Sequence, residues 1–75
     1  MDISRYQIEL TRHALWRSYL REIDLEEIEA TVQGGTIERI GKHCLRFRKC
    51  YKDGEVICIG KIKGLMISLL TVEKK

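Results

Sequence analysis

Residues 43–62 read HCLRFRKCYKDGEVICIGKI, and this stretch decides the predicted fold. A run in which apolar and basic residues partly alternate precedes Asp53-Gly54, and a mostly apolar run follows it. This dipeptide favours a tight type I′ turn. A two-residue turn at this point predicts that Tyr51 faces Val56 on two antiparallel strands. The stretch is therefore expected to form a β-hairpin with one mostly apolar face.

Turn signals on both sides of this hairpin predict further strands. Gly41-Lys42 precedes it and Lys63-Gly64 follows it. Strands are expected near 36–40, 43–51, 55–62 and 65–73. The apolar face of these strands, assigned to the core, would carry Leu45, Phe47, Leu65, Ile67, Leu69 and Thr71.

Two helices are predicted before the sheet. Thr11 is a candidate N-cap for a helix over about 12–22, and Asp24 begins a second helix that ends at Gly34-Gly35. The short link between them is typical of a helical hairpin. The predicted fold class is α+β, a single domain over residues 1–75. Two N-terminal helices form a helical hairpin packed on a three- to four-stranded antiparallel β-meander.

Trp16 follows the helical spacing of the first predicted helix and is expected to contact the sheet. The second face of the sheet combines basic and apolar side chains, which a fully solvated face would not do. We therefore expect a second chain, a partner segment or the N-terminal residues to cover this face. A register error or a bulge is the alternative explanation. The apolar residues that need cover are Ile57, Ile59, Leu70 and Val72.

Composition excludes several classes of protein. No apolar run approaches the roughly 18 to 20 residues of a membrane span, and the first residues lack a signal peptide, so a cytoplasmic location is expected. The three cysteines, Cys44, Cys50 and Cys58, are odd in number and form no C-x-x-C pair, which favours buried free thiols over disulfides or a zinc ribbon. No metal site and no cofactor are predicted, because no recognised binding motif is present.

The formal net charge of +3 conceals a difference between the two halves of the chain. Residues 1–35 hold four Arg against seven Asp or Glu, whereas residues 36–75 hold ten Lys or Arg against four acids. The second half therefore carries +6, a bias that favours a polyanionic partner such as RNA.

Two groups of residues suggest chemistry on RNA. His13, Arg17 and Arg21 recur at helical spacing, and a histidine beside guanidinium groups combines proton exchange with phosphate binding. Solvated or ion-paired side chains are the simpler interpretation of this stripe. Arg46 and Arg48 lead into Tyr51 and Lys52, so that cations and an aromatic ring alternate on one strand.

The segment from Ile8 to Ala14, followed by Arg17 and Arg21 and then by residues 23–28 and Gly35, resembles a prokaryotic family of small domains of unknown function. Members open with a T-x-H-A helix followed by arginine and continue with an I-x-x-E-x-I helix. Glu22 stands where the family has a glycine. The family is distantly similar to RelE/ParE-type toxins, whose fold sets a helical pair against an antiparallel sheet. The ribonuclease members of those toxins cut RNA with basic and aromatic side chains.

These observations lead to the prediction of a toxin-like, metal-independent endoribonuclease or RNA-interacting domain. His13 is predicted to act as general acid and base while Arg17, Arg48 and Lys52 hold the phosphate. The expected partner is an antitoxin-like protein or a second copy of the chain. Either would cover Ile57, Ile59, Leu70 and Val72. The alternative is a non-enzymatic module that binds nucleic acid or protein, including as a homodimer. Further nucleic-acid contacts are predicted for Arg12, Arg21, Arg46, Tyr51 and Lys61.

Overall fold

The computed structural model describes residues 3–75. Its elements in chain order are β1 (Gln7–Leu10), α1 (Arg12–Leu20), α2 (Leu25–Gly34), β2 (Thr36–Arg39), β3 (Cys44–Tyr51), β4 (Gly54–Lys63) and β5 (Met66–Lys74). The strands form one mixed sheet in the order β1-β5-β4-β3-β2, in which β1 is parallel to β5 and the other neighbours are antiparallel.

The protein is α+β, but the predicted arrangement of two N-terminal helices on a three- to four-stranded antiparallel meander is wrong. A strand precedes the helices, which therefore lie in the middle of the chain, and the sheet has five strands. β1 pairs with β5 from Gln7 opposite Met66 to Leu10 opposite Leu69. Its four residues give a weak local signal, and the partner strand lies far along the sequence, so the pairing depends on the tertiary fold.

The central hairpin forms between β3 and β4, with a register two residues away from the predicted one. Tyr51 lies opposite Gly54 instead of Val56, so Lys52 and Asp53 are the turn residues. Side chains alternate with a period of two, and a shift of two residues therefore leaves every side chain on its predicted face. Gly54 has a φ of 145°, which an L-residue rarely adopts.

A β-bulge interrupts the pairing of β4 with β5. Ile59 lies opposite Thr71, but Gly60 lies opposite Leu69, so Leu70 is an extra residue. Because of this extra residue, the β5 residues after Leu70 lie on the opposite face from the predicted one. Val72 is fully buried in the core, whereas Thr71 lies on the other face, and both assignments from the sequence were wrong. The predicted alternative of a bulge is thus confirmed for Val72, whereas Ile57 and Ile59 keep their predicted face.

The two helices pack on different strands, so the predicted helical hairpin is also wrong. α2 packs across β3 and β4, and α1 lies along β5 beyond the end of β1. The Thr11 hydroxyl accepts from the Ala14 N–H at 3.2 Å, which confirms the predicted N-cap. It also donates to the Leu69 carbonyl at 2.6 Å and so ties the start of α1 to β5.

Small residues bring α1 close to the sheet. Ala14 and Ser18 are its buried residues, and Trp16 points outward with 58% of its surface exposed. The expected contact between Trp16 and the sheet is therefore wrong. Glu22, in the link to α2, has a φ of 54°, a conformation that favours glycine, the residue found here in the resembled family.

The hydrophobic core lies between the sheet and α2. Its margins are closed by α1 and by the turn at residues 3–6, which precedes β1. Phe47 and Leu45 are buried there as predicted, whereas Leu65 is exposed in the β4–β5 turn. Within residues 3–75, no helix has the length and apolar character needed to cross a membrane. The buried apolar residues that form this core are Ile3, Ala14, Ile23, Ile28, Val32, Leu45, Phe47, Val56, Cys58, Ile67, Leu69 and Val72.

Candidate functional site

The sheet face that turns away from α2, called the open face, carries a chain of ion pairs. Glu38 on β2 binds two arginines of β3, with its Oε1 atom 3.0 Å from Arg46 Nε and 2.9 Å from Arg48 Nε. Arg48 Nη1 also lies 3.7 Å from Glu55 Oε2 on β4. Antiparallel pairing places these side chains next to one another, since Glu38 lies opposite Arg46.

The carboxylate of Glu38 offsets part of the positive charge of Arg46 and Arg48 on the open face. The hydrogen bond from Arg46, with the charges of both arginines, lowers the pKa of Glu38, so this carboxylate stays ionised at neutral pH. Ile57 lies beside Arg48 in register and is only 8% exposed. Arginine stems commonly cover apolar neighbours in this way. Ile57 on this face and Val72 in the core are thus buried within the single chain.

Arg17 is the predicted catalytic residue that reaches this face from a helix. Its Nε atom lies 3.5 Å from Thr71 Oγ1, and its Nη2 atom lies 3.6 Å from Glu73 Oε1. Glu73 lies opposite Ile57, which in turn lies opposite Arg48. The structure therefore brings Arg17 and Arg48 to one face, with a carboxylate beside each. Arg17 contacts β5, and β4 separates that strand from β3, which carries Arg48.

His13 and Lys52 lie near opposite ends of β5, although His13 is one helical turn from Arg17 on α1. His13 is exposed at the start of α1, where Thr11 binds Leu69. Lys52 is exposed in the β3–β4 turn, next to Asp53, which binds Lys74. Leu69 and Lys74 are five residues apart on β5, which is about 16 Å at strand spacing. The four predicted catalytic residues are thus spread along α1, the open face and one end of the sheet.

The residues predicted to bind nucleic acid have different surroundings. Arg12 and Arg21 are exposed on and just after α1, and Arg46 is held by Glu38. The Tyr51 hydroxyl lies 3.0 Å from the Glu27 carbonyl of α2, so its ring is held on the core side of the sheet, where the sequence placed it. Lys61 is exposed on β4 opposite Cys44.

Lys61 belongs to a group of exposed basic residues that we call the basic end. The β2–β3 loop and the end of β4 meet there, because the Ile62 N–H donates to the His43 carbonyl at 2.7 Å. Arg39 Nη1 donates to the Lys42 carbonyl at 3.0 Å, which orders the loop. The basic end consists of Arg39, Lys42, His43, Lys61 and Lys63, all exposed.

The basic end differs from the open face in its lack of carboxylate partners. Among residues 3–75, none of its side chains has an acidic group within the 4.0 Å of an ion pair. Sequence reasoning identified Lys61 but missed Arg39, Lys42 and Lys63. The sequence did contain an indication that these cations lack acidic neighbours, since residues 39–52 and 56–72 contain no Asp or Glu.

The thiols are free and differ in exposure. Cys58 is buried, and burial raises the pKa of its thiol to about 12. Cys44 is half-buried and Cys50 is exposed, so the expectation of buried thiols holds for Cys58 alone. In the part of the chain that the structure describes, no three His, Cys, Asp or Glu side chains are grouped as metal ligands.

A scan of protein-family models finds none that matches the chain, and searches of curated proteins and of solved structures also find no match. The resemblance to the small prokaryotic family and to RelE/ParE-type toxins therefore stays a prediction.

Proposed function

We propose that this chain is an RNA-interacting domain that binds the phosphate backbone through the basic end. The observation that carries the proposal is the group of exposed cations without carboxylate partners where the β2–β3 loop meets β4. Phosphate groups release counterions when they meet such lysines and arginines, which provides the free energy of binding. The +6 charge of residues 36–75 supports the same partner.

The basic end is a better phosphate site than the open face. At the open face, Arg46 and Arg48 are already bound to Glu38 at 3.0 and 2.9 Å, so a phosphate would have to displace a carboxylate. Lys42, Lys61 and Lys63 have no such competitor among the described residues, and lysine ammonium groups adapt readily to a flexible backbone. The two surfaces therefore predict different mutational effects.

The expected binding depends on the backbone and tolerates changes of sequence. Contacts to phosphate position a nucleic acid without reading its bases. The cytoplasmic location expected from the sequence suits a protein with this kind of partner. An antitoxin-like partner and catalysis on RNA are separate predictions and are not needed for binding.

The test is fluorescence anisotropy with an end-labelled oligouridine, measured over a range of salt concentrations. Lys63→Ala should weaken binding and reduce the slope of log K against log salt by about 0.7, the value for one lost phosphate contact on a single strand. Lys75→Ala is the matched control, because it removes the same charge from an exposed lysine at the far end of the sheet.

Equal effects of Lys63→Ala and Lys75→Ala would show that net charge alone attracts RNA and would contradict a site at the basic end. A large loss in Arg46→Ala and Arg48→Ala, with none in Lys63→Ala, would move the site to the open face. A wild-type chain that does not bind the oligouridine at low salt would overturn the proposal altogether.

A further inference from the structure

The outer side of α1 is an exposed apolar surface that the proposed RNA binding does not use. Trp16 is 58% exposed and Tyr19 is 79% exposed, and three leucines around them are each about half exposed or more. Contiguous apolar surfaces of this kind commonly mark interaction sites. We call this surface the α1 patch, and it consists of Leu15, Trp16, Tyr19, Leu20 and Leu25.

The α1 patch borders a groove of about 640 Å³ between α1 and the start of α2. The buried side chain of Ile23 forms part of the floor of this groove. The residues that line the groove run from 12 to 25, and a charged residue lies towards each end of this segment. Arg12 opens α1, and Asp24 precedes α2. Among residues 3–75, these two side chains form no ion pair with each other.

The spacing of the groove residues on α1 is self-complementary. Arg12, Leu15, Trp16 and Tyr19 occupy positions i, i+3, i+4 and i+7, so they form one stripe on the helix. A two-fold axis that passes between Leu15 and Trp16 pairs each with the other in a second copy. The same axis would bring Arg12 towards Tyr19 of the second copy, a pair of residue types that can form a cation–π contact.

Charge supports the same antiparallel arrangement. Beyond the C-terminal end of α1, the exposed acids Glu22 and Asp24 outnumber the exposed Arg21, and Arg12 lies at the N-terminal end. An antiparallel pair of α1 helices brings Arg12 of each copy alongside the acidic end of the other. Opposed helix dipoles favour this arrangement as well.

The available area fits a reversible dimer. The five side chains of the α1 patch expose together on the order of 600 Å², since a large aromatic residue alone contributes up to about 250 Å². With both patches fully covered, two copies would bury at most about 1,200 Å², at the lower end of the range for specific interfaces.

We propose that the chain forms a two-fold homodimer through the α1 patch, with Trp16 and Tyr19 as its central contacts. The dimer is independent of the proposed RNA binding and would carry two basic ends. Tryptophan and tyrosine are the residues most often found at the energetic centre of an interface.

Sedimentation velocity over a wide range of protein concentration measures the monomer–dimer equilibrium. The fluorescence of Trp16 reports whether the α1 patch becomes buried. It is the single tryptophan of the chain, so its emission should shift to shorter wavelength as the dimer forms. Trp16→Glu should raise the dissociation constant about thirtyfold or more, as expected for a central contact. Leu65→Glu is the matched control, because Leu65 is 67% exposed in the β4–β5 turn.

A charge exchange tests the orientation. Arg12→Glu and Asp24→Arg should each weaken the dimer, and the double variant should recover at least part of the lost affinity. Circular dichroism checks that each variant is folded. A chain that stays monomeric at every concentration, or a dimer that Leu65→Glu abolishes and Trp16→Glu does not, would overturn the proposal. A dimer that forms without a shift in the Trp16 emission would do the same.

Discussion

The Tyr51 hydroxyl lies 2.9 Å from Thr31 Oγ1, and both hydroxyl oxygens lie within hydrogen-bonding distance of the Glu27 carbonyl oxygen. Thr31 is fully buried on α2, and Tyr51 ends β3. This small polar group therefore fastens α2 to the central hairpin at the edge of the core. It also holds the Tyr51 ring in one place.

Tyr51→Phe should lower the free energy of unfolding by about 1 kcal/mol, because one buried hydrogen-bonding group is lost and Thr31 keeps its bond to the Glu27 carbonyl. Urea unfolding followed by circular dichroism measures this change. Binding of the oligouridine should be unaffected. A loss of RNA affinity at unchanged stability would instead support the stacking role that the sequence suggested for Tyr51.

Gly60→Ala should destabilise the fold by about 1 to 3 kcal/mol, the usual range for overpacking a core. A Cβ atom on Gly60 would lie 2.8 Å from Ile67 Cγ2 and 3.3 Å from Leu69 Cδ2, next to the bulge. Gly34→Ala is the control, since its Cβ would meet nothing closer than Lys49 Nζ at 3.5 Å. Alanine is also the better helix former, so Gly34→Ala should be neutral or stabilising. Equal thermal midpoints for the two variants would contradict this account of the bulge.

Thiol reactivity should separate Cys50 from Cys58. Burial raises the pKa of the Cys58 thiol to about 12, so almost none of it is thiolate near neutral pH, and the side chain is covered as well. Alkylation followed by mass spectrometry should label the exposed Cys50 quickly and Cys58 only after unfolding. The variant Cys50→Ser removes the fast phase. Fast labelling of Cys58 in the folded chain would show that β4 opens readily.

The pair formed by Asp53 and Lys74 should make stability depend on pH in the acid range. Lys74 Nζ donates to Asp53 Oδ2 at 2.8 Å, and this hydrogen bond lowers the pKa of Asp53. A carboxylate with a lowered pKa stabilises the fold above its unfolded pKa of about 3.9 and loses that effect as the pH falls through the folded pKa.

Asp53→Asn should therefore lower the thermal midpoint at neutral pH, and the difference from wild type should shrink in acid. Thermal unfolding at a series of pH values measures both. A difference that stays constant down to the most acidic pH would mean that the ion pair contributes nothing and that the substitution acts on the turn alone.

The ribonuclease prediction has a direct test. RNA incubated with the protein in a chelator should yield 2′,3′-cyclic phosphate ends, and His13→Ala should remove about 10²-fold or more of that activity, as expected for a general acid–base group. Lys75→Ala serves as a control of equal size. Cleavage that persists in His13→Ala would exclude His13 as the catalytic group, and binding without cleavage would favour the non-enzymatic alternative.

Part of the candidate site could be predicted from the sequence. Alternation along β3 and β4 placed Arg46 and Arg48 together on one face, because neighbouring strand positions point to opposite sides. It could not show that Glu38 binds both arginines, since that contact depends on the register of β2 against β3. Of the cations at the basic end the sequence identified Lys61 alone, because the fold is what brings the β2–β3 loop together with the end of β4.

The sequence by itself determined the features with short-range causes. The Thr11 N-cap, the β3–β4 hairpin and the apolar side that carries Phe47 all follow from neighbouring residues and from side-chain periodicity. The tertiary structure decided the rest. The parallel pairing of β1 with β5, the bulge that turns Val72 inward and the outward direction of Trp16 depend on contacts between residues far apart in the chain, and local propensity carries little information about such contacts.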